Sequence, residues 1–286
     1  MSYFKILGFT KEPFSTSPDP DFLYLAKDHD TALANILIEL RLKRGLSTIL
    51  GDVGTGKTSL SRKLIQELKT RDDFIFHMVL DPSFDDEKSF LDYLIRNFGI
   101  PQEGAAGSIA LKEALEKFLF QKGVIENKTT VLIVDEAQKL SDATLETLRV
   151  LLNFETNEFK LLQLVLLGQL ELHSKVVNIP NFLDRISFKY TLNPLSRDET
   201  KEMIEFRIRR AGYSSSMHLF LDEAIDEIYK YTKGYPRKIT LLCHRALKAL
   251  ILRNRHVVDS RLIMDLVQHD RGKGWYTAGS VIQGEA

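Results

Sequence analysis

Eight consecutive residues, Gly51-Asp52-Val53-Gly54-Thr55-Gly56-Lys57-Thr58, fit the spacing G-x-x-x-x-G-K-[ST] with nothing missing. Glycines in such a turn let the backbone wrap until its N–H groups point at phosphate oxygens. A helix starting near Lys57 aims its positive end at the same place. Lys57 adds a full charge for the β- and γ-phosphates, Thr58 offers a hydroxyl to Mg²⁺, and Ser59 follows in the first helical turn. The chemistry implied is capture of a nucleoside triphosphate with its magnesium ion.

A second element supplies carboxylates. In the run 131–136 (VLIVDE) four apolar residues would bury a strand, and Asp135 and Glu136 emerge at its end. Ligands of open α/β sheets bind at that end of the strands. Asp135 suits Mg²⁺, which prefers few carboxylates and several waters, and Glu136 is placed to polarise an attacking water as general base. Gln169 stands just past the apolar run 160–168, where an amide could touch the γ-phosphate or orient the water. Arg185, with Lys189 as a weaker candidate, lies in the segment 181–195, and a guanidinium there could reach a neighbouring subunit's γ-phosphate in trans. Arg237, after Pro236 at a helix start, could clamp the phosphates if a helical domain folds over them.

These residues need a scaffold. Apolar runs at 46–50, 74–80, 129–135 and 160–168 read as strands. Helical periodicity falls at 28–44, 57–70, 85–98, 108–122 and 141–155, with Asp28 or Asp30 and Ser141 as caps. Alternation of this kind implies a parallel sheet covered by helices on both faces, with the strand 160–168 between the other two that carry site residues. After residue 195 only helices are expected, at 197–211, 221–232, 236–253 and 259–270. The reading is a P-loop α/β core over 1–194, including a Pro-rich N-terminal segment, a small all-helical lid over 195–270, and a flexible tail over 271–286.

Composition narrows the function classes. Lys+Arg and Asp+Glu both count 39 among 286 residues, so a strongly basic nucleic-acid binder is not indicated. Residues 1–194 hold 23 basic and 27 acidic side chains, a balance of −4, whereas 195–270 hold 14 and 11, a balance of +3. That weak excess, and the basic stretch Arg245, Lys248, Arg253 and Arg255, read first as a solvated face. The lone Cys243 sits in an apolar helical pattern and fits a buried core position in a reduced setting. His77, His173, His218, His244, His256 and His269 have no metal-like spacing. Phe14, Phe22 and Tyr24 could line an adenine pocket, but aromatic residues in such a segment more often anchor a core. The N-terminus lacks a signal-peptide pattern, and no apolar run approaches the ~18–20 residues a membrane helix needs.

The order of parts resembles AAA+ ATPases: phosphate loop, Asp-Glu strand, polar strand end, arginine, helical lid with a Gly-x-Pro-Arg start. More narrowly, the chain resembles the ExeA/GspA-like secretion ATPases over about residues 3 to 270. The matching stretches are FTKEPF (9–14), Ser17-Pro18-Asp19-Pro20, Phe22-Leu23-Tyr24-Leu25, and His29 with Ala32 and Leu33. GDVGTGKT, VDEAQ (134–138), LLGQLEL (166–172) and KGYPRKI (233–239) are similar too. The resemblance implies a cytoplasmic ATPase serving type II secretion, MSHA-type pilus assembly or polysaccharide export, with Arg185 as finger and Arg237 as lid sensor. Longer members continue into a membrane helix and a peptidoglycan-binding domain. Nothing apolar follows residue 270, so the short form of the MSHA pilus biogenesis type is expected, reaching the inner membrane through a protein partner. The adenine base is likewise implied only by the resemblance.

Three functions compete on this reading. The first is Mg-dependent ATP hydrolysis driving pilus or secretion assembly, by an oligomer in a ring or filament. The second is an ATP-dependent DNA-binding adaptor of the transposition-helper type, whose binding would weaken steeply with salt. The third is a slow nucleotide switch.

Overall fold

The computed structural model describes residues 3–15, 20–101, 107–215 and 217–272. Ser17, Pro18 and Asp19, and all but the first two residues of the expected tail, lie outside them. The chain starts with a short helix α1 (Tyr3–Ile6) and proceeds to α2 (Lys27–Arg41), β1 (Leu46–Gly51), α3 (Lys57–Lys69), β2 (Phe74–Val79), α4 (Glu87–Asn97) and α5 (Ser108–Phe120). It continues through β3 (Thr129–Val134), α6 (Asp142–Leu151), β4 (Leu162–Gly168), α7 (Glu171–Val177) and β5 (Ile186–Leu192), then through four helices, α8 (Arg197–Arg210), α9 (Asp222–Thr232), α10 (Pro236–Leu252) and α11 (Ser260–Gly272). Two compact units result: Lys27–Asn193, and Met1–Ala26 together with Pro194–Ala286.

In the α/β unit the described strands form one sheet of order β2-β3-β4-β1-β5. Every neighbouring pair is parallel. β4 thus lies between β3 and β1, as its apolar run leads one to expect. β1, β3 and β4 are buried along their whole lengths, which is why they read as continuous apolar runs. Gln163 interrupts β4 without cost. Its carbonyl accepts from the Gly45 N–H and its amide donates to the Lys160 carbonyl, both at 2.8 Å, so a buried amide has both ends satisfied. Ser141 caps α6 by accepting from the Thr144 N–H. Asp28 lies inside the first turn of α2 and does not cap it. Its carboxylate instead accepts from the Tyr190 hydroxyl and the Asn193 side-chain amide, tying α2 to β5.

The segment 181–195 reads from sequence as a connection into the helices, yet it holds β5. As an edge strand β5 alternates half-buried and exposed residues before a buried Leu192, and ISFKYTL therefore lacks the unbroken apolar signature of the inner strands.

The helical unit has its own core, built by Ile204, Ile225, Ile228, Ile239, Leu247 and their neighbours. α8 opens with a capping box between Ser196 and Glu199. Phe9, Phe14 and Phe22 belong to this core, Phe14 packing edge-on against Phe220. The N-terminal segment therefore groups with the helices, where the sequence grouped it with the α/β core. Arg207 secures it: the buried guanidinium donates to the Phe22 carbonyl at 3.2 Å and to Thr240 Oγ1 at 2.7 Å. Cys243 is fully buried, and burial pushes its thiol well above the ordinary value.

The turn before α10 has no room for a side chain. Gly234 has φ +77° and a Cβ there would lie 1.9 Å from the Leu195 carbonyl oxygen, held close by the Leu195 N–H donating to the Gly234 carbonyl at 2.9 Å. Gly8 has a similar φ of +81° but open space around it. Gly8→Ala is expected to cost about 1 kcal/mol, the left-handed penalty alone. Gly234→Ala adds backbone overlap and is expected to cost more than about 2 kcal/mol. Chemical unfolding of the two variants beside the wild type checks the difference; equal losses would mean that the α10 turn relaxes freely.

Candidate active site

β1 ends at Gly51 and the chain turns through 52–56 into α3. Gly56 adopts φ +103°, and a Cβ there would come within 2.5 Å of His29 Nε2. The same imidazole, buried on α2, donates from Nε2 to the Thr55 carbonyl at 2.9 Å. His29 thus supports the loop from beneath, and only glycine fits between. No side chain caps the N-terminus of α3, so its first N–H groups are left for an anion. Lys57 is 6% exposed, and Nζ donates to the carbonyls of Gly51 and Asp52 at 2.9 Å each. Burial pushes its ammonium below the usual range, while Glu136, Asp135, Asp52 and Glu171 act against that shift. Asp52 folds back to accept from the Val53 N–H.

β3 delivers Asp135 beside the loop. The Thr58 hydroxyl donates to Asp135 Oδ2 at 2.8 Å, and the Glu136 N–H donates to Oδ1 at 3.0 Å. Asp135 is 2% exposed, and burial holds its carboxyl above the ordinary value despite these two donors. A hydroxyl and a carboxylate in contact, both hard oxygen donors beside a phosphate cradle, fit a magnesium ion that keeps several of its waters. Among the described residues no group of three or more His, Cys, Asp or Glu side chains could hold a metal by itself, which leaves substrate phosphates to complete such a site.

Glu136 takes a left-handed backbone, φ +52°, and starts a tight turn over Ala137–Lys139. Its Oε2 accepts from the Gln138 side-chain amide at 2.7 Å. Gln138 Oε1 accepts from the backbone N–H of Gln169 at 3.1 Å. Lys175 on α7 donates to the carbonyls of Gln138 and Leu140 at 2.6 and 3.0 Å. The general-base candidate and the polar strand end are thus linked through Gln138, which the sequence marks only as a letter of the run VDEAQ. Nothing in the spacing marked Gln138, because its partner N–H belongs to a strand end 31 positions away.

Arg185 is at the opposite end of the sheet. It closes the turn Leu183–Arg185 before β5, whose register pairs Ile186 with Leu46 and Leu192 with Gly51. Six residues of strand put it roughly 20 Å from the phosphate loop of its own unit, so it cannot serve that loop in cis. Its Nε is buried with no hydrogen-bond partner. Glu146 is held below its usual range first by Arg149, with Arg185 adding to the effect. Arg237 belongs to the other unit, exposed in the first turn of α10 after Pro236. In that unit, Arg253 pairs with Asp265 at 2.6 Å and Arg255 with Asp259 at 3.0 Å, so these two arginines of the basic stretch have carboxylate partners.

A carboxyl whose folded pKa is raised costs stability while ionised, and the cost fades as pH falls through the raised value. Asp135→Asn is therefore expected to raise the Tm of the nucleotide-free chain at neutral pH. The gain should shrink on acidification towards the ordinary carboxylate range. Thermal unfolding across that interval checks it; a Tm lowered throughout would make Asp135 a net stabiliser.

Residues 40–176 match the family described as "AAA domain". Over 98% of its length the chain is 34% identical to General secretion pathway protein A of Aeromonas hydrophila, of which it spans 51%. A potential ATP-binding protein of Staphylococcus aureus is 34% identical over 110 residues, 38% of this chain and 39% of that protein. The chain thus spans about half, or less, of these relatives. Among solved structures, the ORC2 protein of Aeropyrum pernix superposes with a TM-score of 0.63 at 19% identity, covering 90% of this chain and 71% of that one. Cdc6p of Pyrobaculum aerophilum gives 0.65 at 19%, covering 87% and 69%. With a parallel sheet of this order, a glycine-rich loop after β1 and a carboxylate pair after β3, the chain has the P-loop fold of AAA+ ATPases, and residues 40–176 carry an AAA domain.

Proposed function

We propose that the chain binds ATP with magnesium at 51–58 and hydrolyses it as an oligomer, driving assembly or export by a bacterial type II secretion-like or pilus envelope system. The chemistry is carried by the 2.8 Å contact that joins Thr58 of the loop to Asp135 of the carboxylate strand. The system is suggested by the likeness, along nearly the whole chain, to General secretion pathway protein A.

In this reading the backbone N–H groups of 51–59 and the Lys57 ammonium hold the phosphates. Thr58 and Asp135 would hold the magnesium, which supplies charge neutralisation at the phosphate oxygens. Glu136 accepts the proton of the attacking water, and Gln169 orients it or touches the γ-phosphate. Arg185 of a neighbouring copy stabilises the negative charge on the γ-phosphoryl oxygens and the departing ADP in the transition state, a role favoured by its distance from its own loop. Arg237 senses the nucleotide from the helical lid. Among the described residues no helix is long and apolar enough to cross a membrane. A cytoplasmic place, with a protein partner at the inner membrane, is part of the proposal.

ATPase rate against protein concentration, at low and high salt, with and without duplex DNA, tests it. A rate per subunit that rises with concentration and ignores DNA is expected. A rate that needs DNA and collapses with salt would favour the transposition-type adaptor, and hardly any turnover under all conditions a nucleotide switch. Arg185→Ala is expected to bind ATP within about twofold of wild type and to lose about a hundredfold or more in turnover. Glu136→Gln should retain bound ATP unhydrolysed. Normal turnover in either variant removes that residue from the mechanism.

A further inference from the structure

We infer that Gln138 is a positioning residue for the proposed hydrolysis, fixing the Glu136 carboxylate to the end of β4. The inference rests on the ATPase reading above. Its geometry leaves the amide one orientation. The Gln169 backbone N–H can only donate, so Gln138 Oε1 must face it at 3.1 Å, and the NH₂ group must then face Glu136 Oε2 at 2.7 Å. A single planar group thereby acts as acceptor to one strand end and donor to the other. The Lys175 ammonium, donating to the carbonyls of Gln138 and Leu140, holds the turn from which the amide projects. A displacement of the backbone at 168–170 is passed to the Glu136 carboxylate through one rigid amide and two hydrogen bonds. The arrangement makes the aim of the base depend on the segment that carries Gln169, the residue proposed to meet the γ-phosphate.

No charged or thioether side chain can replace both contacts. Gln138→Glu keeps an acceptor for the Gln169 N–H and nearly the same shape, but it loses the donor and brings a second carboxylate to Glu136. Gln138→Met keeps the length and loses both bonds.

The test measures kcat and KM for ATP in the full chain, together with the Kd of a fluorescent ATP analogue and Tm. Both variants are expected to lose at least about tenfold in kcat, with KM and Kd within about twofold, the pattern of a group that acts on the transition state and not on nucleotide binding. Wild-type turnover in Gln138→Glu would overturn the inference, since satisfying the Gln169 N–H would then be the whole role. Faster turnover in both variants would overturn it too, making the amide a restraint on the base. A wild type without turnover overturns the proposed function and this inference with it; a working wild type with unaffected variants overturns this inference alone.

Discussion

β1, β3 and β4 stop at one edge of the sheet because all three run parallel and in register, and the site is a consequence of that edge. Leu50 of β1 stands level with Gly168 of β4, and Val134 of β3 with Leu166. The phosphate loop, the carboxylate pair and Gln169 therefore leave the sheet side by side, although more than a hundred positions separate the first from the last. The constraint is enforced by burial. A slip of any inner strand would drag apolar side chains off a core that covers both faces.

The edge is also where the unit buries oppositely charged groups, Lys57 and Asp135. Burial disfavours the charged form of each. Their proximity compensates in part, because the carboxylates favour the ammonium and the ammonium favours the carboxylates. Hydrogen bonds from Thr58 and the Glu136 N–H complete the arrangement. The result is a fixed field in a poorly solvated place, the condition under which oriented charges act most strongly on a bound anion.

How far the sequence could be read follows from how local each signal is. The inner strands, the four late helices and the loop 51–58 each carry their pattern within a few consecutive residues, and the structure has them where the sequence placed them. β5 escaped because an edge strand alternates, and the alternation of ISFKYTL has no bounding turn signals strong enough to stand out. Asp28, with Asp30, reads as a cap from its position before an apolar face, whereas the partners of Asp28, Tyr190 and Asn193, lie some 160 positions away. Gln138 and His29 were visible as motif letters, but their tasks depend on which backbone groups the fold brings near. The membership of the first 26 residues in the helical unit has the same cause: Arg207 and Phe220 meet Phe22 and Phe14 only after the whole α/β unit has intervened.

That split membership has a consequence for biosynthesis. The helical unit is discontinuous, begun by residues made before the α/β unit and finished only when α11 has been made. At about 5–20 residues per second, Phe9, Phe14 and Phe22 wait on the order of ten seconds or longer before the residues that cover them exist. The α/β unit, contiguous from Lys27 to Asn193, can collapse first on the ribosome while this aromatic leader remains unfolded. During that interval the nascent chain presents an apolar segment suited to chaperone capture, and the order of folding runs from the middle of the sequence outwards.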